Sequence, residues 1–124
     1  MQTNLVDAHI AYIYEEICKE KMWELNASGI WDFHFNKVGR WWNNNTEIDI
    51  VALDQEDGHV IFGECKYWTN KVGLDVLRNL EQKAEQVEWN RNVRKNHFIL
   101  FSVNGFTDEL MELSRIRKDL VLKP

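Results

Sequence analysis

Asp49, Glu64 and Lys66, three ionisable side chains on two neighbouring apolar segments, are the residues of this sequence whose types and spacing best suit chemistry. Asp49 lies within Ile48-Asp49-Ile50-Val51-Ala52-Leu53, and Glu64 and Lys66 close a second apolar run that begins at Val60. Between the two runs, Gln55-Glu56-Asp57-Gly58 contains the Asp-Gly pair that favours a hairpin turn. A hairpin there returns the chain so that positions 64 and 66 come back beside position 49. Side chains alternate faces along a strand, so Glu64 and Lys66 point the same way, roughly 7 Å apart at the backbone, while Cys65 points opposite. An apolar residue at position 49 would bury more favourably, and an unpaired buried carboxylate neutralises or costs several kcal/mol. Two carboxylates ~4 Å apart repel by roughly 4 kcal/mol at an effective dielectric of about 20. A divalent cation between them reverses that sign. Mg²⁺ takes hard oxygen ligands, commonly one or two carboxylates, and keeps other positions for water and phosphate oxygens. A lysine two residues from such a ligand can orient a water or stabilise charge developing on phosphorus. A strand salt bridge joining Lys66 to Asp49 or Glu64 accounts for the same three residues without any chemistry, and patterns this short are common.

The order of the surrounding elements adds to the three residues. A helix with glutamates, a strand, a strand carrying Asp49, a strand carrying Glu64-Cys65-Lys66, a helix and a strand together resemble the PD-(D/E)XK nuclease superfamily, the restriction-endonuclease-like fold. Val38-Gly39-Arg40-Trp41-Trp42, Glu47-Ile48-Asp49-Ile50-Val51-Ala52-Leu53 and Phe62-Gly63-Glu64-Cys65-Lys66-Tyr67-Trp68 look most like the nuclease-like domain of unknown function at the C-terminus of archaeal-type ATPases. The resemblance runs from about Tyr14 to the strand near Phe101. It implies an α/β domain with an αβββαβ core, a central mixed sheet of four or five strands flanked by helices, and hydrolysis of DNA phosphodiester bonds with Mg²⁺ or Mn²⁺. Under it Asp49, Glu64 and the Cys65 backbone carbonyl hold the metal, and Lys66 positions or activates the attacking water. Tyr14-Glu15 matches an aromatic-glutamate pair on the first helix that reaches the metal site, which puts Glu15 ahead of Glu16. The implied partners are DNA and an ATPase domain in cis or in trans. The alternative from the same resemblance is a module that binds DNA or regulates an attached ATPase without cutting, and a purely structural, homodimer-forming domain is a third.

Periodicity places these residues on elements. Ile10, Ile13, Tyr14, Ile17 and Cys18 recur at helical spacing from Asp7 to Trp23, with Asn4 or Asp7 as cap and Asn26-Ala27-Ser28-Gly29 as the stop. Ile30 to Phe35 alternates as a half-buried strand does, with Trp31, Phe33 and Phe35 inward. Val38 to Trp42 is a short extended piece. Its Arg40 and Trp42 either pack at a rim or contact a phosphate and stack on a base of nucleic acid. Tyr67 to Lys71 forms a loop at the open edge of the site, where Lys71 is a further candidate for DNA contact. Val72 to about Glu88 reads as a helix buried along Leu74, Leu77, Leu80, Ala84 and Val87, with Arg78, Gln82 and Lys83 as polar members that the pattern does not rank. Trp89 closes the core. His97 to Val103 is an apolar run suited to a strand covered on both faces. Thr107 caps a short helix from Asp108 to Arg115, and Val121-Leu122 adds an edge strand.

Length and composition limit the rest. The 124 residues make one domain, residues 1–124, and 44% hydrophobic with 28% charged residues is the composition of an ordinary globular protein. No apolar run approaches the ~18 residues of a membrane span, and no leader pattern follows Met1, so the expected location is cytoplasmic. The expectation is an excised C-terminal domain or a free-standing relative of the ATPases, since no GxxxxGK[ST] loop occurs. A net charge of −5 disfavours broad affinity for phosphate backbones. Arg91, Arg94 and Lys95, with Arg115, Arg117 and Lys118, form basic clusters that face phosphate or simply solvate helix ends. Cys18 and Cys65 fit no zinc or redox spacing and read as two reduced, buried thiols, with a disulfide between them as the alternative. His9, His34, His59 and His97 have no zinc-site spacing.

Overall fold

In a computed structural model describing residues 8–124, the elements run α1 (Ala8–Ser28), β1 (Lys37–Trp42), β2 (Glu47–Asp54), β3 (His59–Lys66), α2 (Leu74–Ala84), β4 (Lys95–Ser102), α3 (Asp108–Ile116) and β5 (Leu120–Lys123). The αβββαβ core is therefore present, and a further helix and strand extend it. Among the described residues the sheet has five strands in the order β1-β2-β3-β4-β5. The first three are antiparallel, whereas β4 runs parallel to β3 and β5 parallel to β4. A parallel return needs a crossover, and α2 and α3 supply the two. The β2–β3 turn closes at Gly58, whose φ of +79° suits glycine, and Asp54 braces it by accepting from the Glu56 and Asp57 amides.

Alternation along the central strands divides the core into two layers. Val60, Phe62, Phe98 and Leu100 face α2 and α3, where they meet Val76, Leu77, Leu80, Ala84, Val87 and Leu110. Ile50, Ala52, Ile61, Ile99 and Phe101 face α1 through Cys18 and Met22. Gly63 lies on the α1 side, where an added Cβ would come within 2.9 Å of Ile99 Cγ2 and 3.1 Å of Ile50 Cβ. The missing side chain lets Ile50 and Ile99 close over β3. Both thiols are free and buried. The hydrogen bond with Cys18 first, then burial, push the Cys65 thiol well above its ordinary range, so it is a packed core group and a poor nucleophile.

Four expectations need correction. Ile30 to Phe35 is irregular and joins no ladder, although Trp31, Phe33 and Phe35 are buried as expected. Asn26 takes the place of a strand neighbour: its side chain accepts from the Phe35 amide at 3.1 Å and donates to the Phe35 carbonyl at 3.0 Å. Alternating burial thus reflects a segment laid over the core, without a ladder. Helix α1 continues past Trp23 to Ser28 and stops at Gly29, at φ +79°. Its caps proposed at Asn4 and Asp7 lie outside the described residues. The inward face is carried by Tyr14, Cys18, Met22 and Leu25, whereas Ile10, Ile13 and Ile17 are each more than 40% exposed on its flank. Helix α2 ends at Ala84 instead of Glu88, and Val72 instead forms an isolated parallel bridge with Phe106.

The basic clusters turn out to be partly structural. Arg94 donates to the carbonyls of Ala84, Val87 and Trp89 at the end of α2. That satisfies carbonyls a helix terminus leaves open and places a cation at the negative end of its dipole. Arg117 binds Asp119 and Glu81, each at 2.8 Å.

Two stability predictions come from these contacts. Asn26→Ala strands two buried main-chain groups of Phe35 and should lower unfolding free energy by roughly 2–6 kcal/mol in urea titration, at about 1–3 kcal/mol per unsatisfied group; a loss below about 0.5 kcal/mol contradicts this role. At the far end of the sheet His59 Nδ1 and His97 Nε2 lie 3.0 Å apart, with Phe33 stacked on His59 at 3.9 Å. One ring must donate and the other accept, so the bond needs a neutral imidazole. Burial first, then His59 and Lys95, hold His97 below its ordinary value of 6.5, against the opposing pull of Asp119 and Asp32. Its contribution to stability is therefore complete above the unfolded value and is lost as pH falls below it. The melting temperature should drop between pH 7 and 5, and the drop should shrink in His97→Gln; equal drops would remove the pair as the cause.

Candidate active site

Strands β2 and β3 stop pairing before they end, and that gap creates the site. Their ladder runs from Asp54↔His59 to Ile50↔Gly63 and goes no further. On the other side of β2, Gly39 pairs Val51 and Trp41 pairs Ile48, so β2 spends three steps where β1 spends two. Asp49 and Ile50 together oppose Arg40, a β-bulge that bends the strand and re-aims its side chains. It sends Ile48 into the α2 layer while Ile50 packs in the α1 layer.

Side chains replace the ladder beyond Ile50. The Cys65 amide donates to Asp49 Oδ2 at 2.9 Å, and the Asp49 amide approaches Glu64 Oε2 at 3.5 Å. In a strand the amide and carbonyl of one residue lie on the same edge, so the Cys65 carbonyl also faces the gap; the Lys66 carbonyl, one residue on, accepts from Val103 on the β4 side.

Around the gap lies a cleft of about 530 Å³. Helix α1 contributes Ala11, Tyr14 and Glu15, and the β1–β2 turn contributes Asn45, Thr46 and Glu47. Asp49 and the run Glu64, Cys65, Lys66, Tyr67 and Trp68 form the floor, and Asn79, Gln82, Lys83 and Gln86 of α2 and its end form the opposite wall. Asp49, Glu64, Cys65, Lys66 and Glu15, expected together from sequence, line this one cleft. Glu16 does not, and pairs with Lys19 at 2.9 Å. Arg40 binds Glu47 beside the cleft, and neither it nor Trp42 nor Lys71 is part of the lining. Trp42 is 67% exposed.

The charges act directly on one another. Glu64 is 3% exposed; burial first and Asp49 second raise its pKa, while Lys66 and Lys83 oppose the rise. Both lysines reach Glu64 at 3.5 Å, Lys66 on Oε1 and Lys83 on Oε2. Lys66 also lies over the Trp68 ring, 4.8 Å from its centroid. Glu15 is raised as well, by burial and then by Asp49. A proton or a cation is thus favoured among these acids. The salt bridge and the shared cleft expected as alternatives coexist here. Of the polar α2 residues that the sequence left unranked, Gln82 and Lys83 line the cleft and Lys83 alone contacts Glu64, since a helical pattern separates polar from apolar faces but does not say which polar residue meets β3.

Among the described residues no group of three or more His, Cys, Asp or Glu side chains is arranged to hold a metal ion. The donor set that fits a hard cation is smaller: two carboxylates and one main-chain carbonyl edge, which suits Mg²⁺ because it retains several waters.

Among solved structures, the chain is similar to the crystal structure of a repair endonuclease from Pyrococcus abyssi, with a TM-score of 0.55 and 13% identity over 99% of this chain and 48% of that one. It is also similar to the crystal structure of a protein of unknown function, with a TM-score of 0.51 and 18% identity over 83% of this chain and 55% of the other. At these identities the likeness is one of fold, a nuclease-like fold. An uncharacterised protein of Methanocaldococcus jannaschii is 35% identical over 82 residues, 64% of this chain. The chain spans only 18% of that relative's length. The family model of DUF234, described as archaea bacterial proteins of unknown function, matches residues 1–87, well over half of the sequence, and the chain belongs to that family.

Proposed function

We propose that the cleft is a PD-(D/E)XK site that hydrolyses DNA phosphodiester bonds with Mg²⁺ or Mn²⁺. The observation carrying this reading is the convergence of Asp49, Glu64, Lys66 and the Cys65 main-chain edge at the point where β2 and β3 part. Asp49 and Glu64 would hold the cation with their carboxylates, the Cys65 carbonyl would add a neutral third oxygen, and Glu15 on the cleft wall would assist through the metal shell. When bound, the cation polarises a phosphate oxygen and makes water more acidic. Lys66 has the central role among this chain's own groups. Its ammonium lies at the cleft floor with three donors, able to orient the attacking water and to stabilise charge as it develops on phosphorus. The Lys66 ammonium itself rests over the Trp68 ring.

The module acts in the cytoplasm alongside an ATPase domain, in cis or in trans. Two facts support a larger assembly: the family relative is far longer than this chain, and a net charge of −5 gives the domain little phosphate affinity of its own. Among the described residues no helix is long and apolar enough to cross a membrane.

A second reading has its own support. The lack of a three-residue metal cluster among the described residues, and two lysines already on Glu64, favour a module that binds DNA or regulates an ATPase without cutting.

The test is cleavage of plasmid and oligonucleotide substrates in Mg²⁺ or Mn²⁺. The wild type should cut, EDTA should abolish cutting, and Asp49→Ala and Lys66→Ala should each lose about 100-fold or more, the scale set by removing one catalytic electrostatic group. Equal cleavage by all three proteins, or cleavage that survives EDTA, contradicts the site. A wild type that binds DNA without cutting it selects the second reading.

A further inference from the structure

We infer that Lys83 is a substrate-contacting residue that grips a backbone phosphate from the α2 wall of the cleft, an inference that rests on the nucleic-acid reading above.

Asn79, Gln82 and Lys83 fall at i, i+3 and i+4 on α2, so one helical face presents them together to the cleft, and Gln86 in the turn that follows α2 joins them there. The adjacent face, Val76, Leu77, Leu80 and Ala84, is buried in the core and fixes the helix's rotation. At the end of this row, Gln86 Oε1 accepts from Asn43 Nδ2 at 3.1 Å, tying the wall to the β1–β2 turn. Lys83 therefore sits on a braced surface of the cleft, in reach of Glu64.

The charge balance of the cleft gives Lys83 its task. The lining holds the acids Glu15, Glu47, Asp49 and Glu64 against the ammoniums of Lys66 and Lys83, and Arg40 just outside is already held by Glu47. A phosphodiester entering this space needs every cation available. Lys83 and Lys66 share the same carboxylate, each at 3.5 Å, longer than the 2.7–2.9 Å of a strong charge-assisted bond. When a divalent cation neutralises Glu64, the Lys83 pairing loses its purpose. The side chain, 21% exposed at the cleft wall, is then free to turn to substrate. A purely structural Lys83 would serve only to neutralise Glu64, and the two roles separate in binding measurements.

The experiment is fluorescence anisotropy of a labelled single-stranded oligonucleotide in Ca²⁺ across a salt series, with strand integrity checked on a gel. The wild type, Lys83→Gln, Lys83→Arg and Arg78→Gln are compared. Arg78 pairs with Glu81 on an exposed part of α2 away from the cleft lining, and serves as the control. Loss of one phosphate contact should reduce the slope of log affinity against log salt by about 0.7 in Lys83→Gln. Lys83→Arg should restore the slope, and Arg78→Gln should match the wild type. A Lys83→Gln protein with wild-type slope and affinity overturns the inference, whatever its melting temperature. So does an arginine that restores stability and leaves the slope low. A wild type that binds here but fails to cut in Mg²⁺ or Mn²⁺, with the slope lowered in Lys83→Gln, sinks the nuclease reading and leaves Lys83 standing. Cleavage with an unchanged slope sinks Lys83 alone, and an oligonucleotide the wild type does not bind overturns both.

Discussion

A β-sheet satisfies its main chain by pairing, so a place where two neighbouring strands cease to pair must satisfy its amides and carbonyls otherwise. Between β2 and β3 that place begins just past Ile50 and Gly63. The bulge at Asp49 and Ile50 bends β2 there, and Gly63 lets Ile50 and Ile99 meet across β3. Asp49 then caps the orphan amide of Cys65 through its carboxylate. One acid is anchored by the same defect that opens the gap, and the next residue pair on β3, Glu64 and Lys66, lines what remains. Helices α1 and α2, on opposite faces of the sheet, reach around its end to bring Glu15 and Lys83 to the same space.

Electrostatics sets the character of this space. Burial first and the neighbouring Asp49 second raise the proton affinity of Glu64, and two ammoniums partly offset the rise. The lysines already serve as counter-ions to Glu64, and under the proposed reading a divalent cation would take their place on the same residues. The ion pairs are long, so exchanging them for a divalent cation costs little compared with breaking a short, bidentate pair. The same balance accounts for a domain of net negative charge that still presents cations where phosphate would enter.

Much of this was legible in the sequence because strand periodicity is simple. The hairpin from Glu47 to Lys66, the two-faced burial of β4 and the Thr107 cap follow from alternation, an apolar run and turn chemistry, and Thr107 does accept from Leu110. Ile30 to Phe35 misled because burial can alternate without a ladder when a side chain such as Asn26 completes the main chain. Ile10, Ile13 and Ile17 misled because apolar spacing defines a stripe and not which part of it meets the sheet. Lys83 was illegible for a related reason: its importance lies in a contact with Glu64, nineteen positions away, set by the crossover of α2. Arg40, Trp42 and Lys71 were named for chemistry their residue types allow, yet the bulge and Glu47 hold Arg40 aside from the cleft lining.

The central claim is that the parted ends of β2 and β3 form a seat for a hard divalent cation. Anomalous diffraction from crystals soaked in Mn²⁺ tests it most directly. The account predicts a manganese peak bridging the Asp49 and Glu64 carboxylates near the Cys65 carbonyl, with the Lys83 ammonium moved off Glu64. A map without manganese at that position, in crystals where both lysines still hold Glu64, would contradict it.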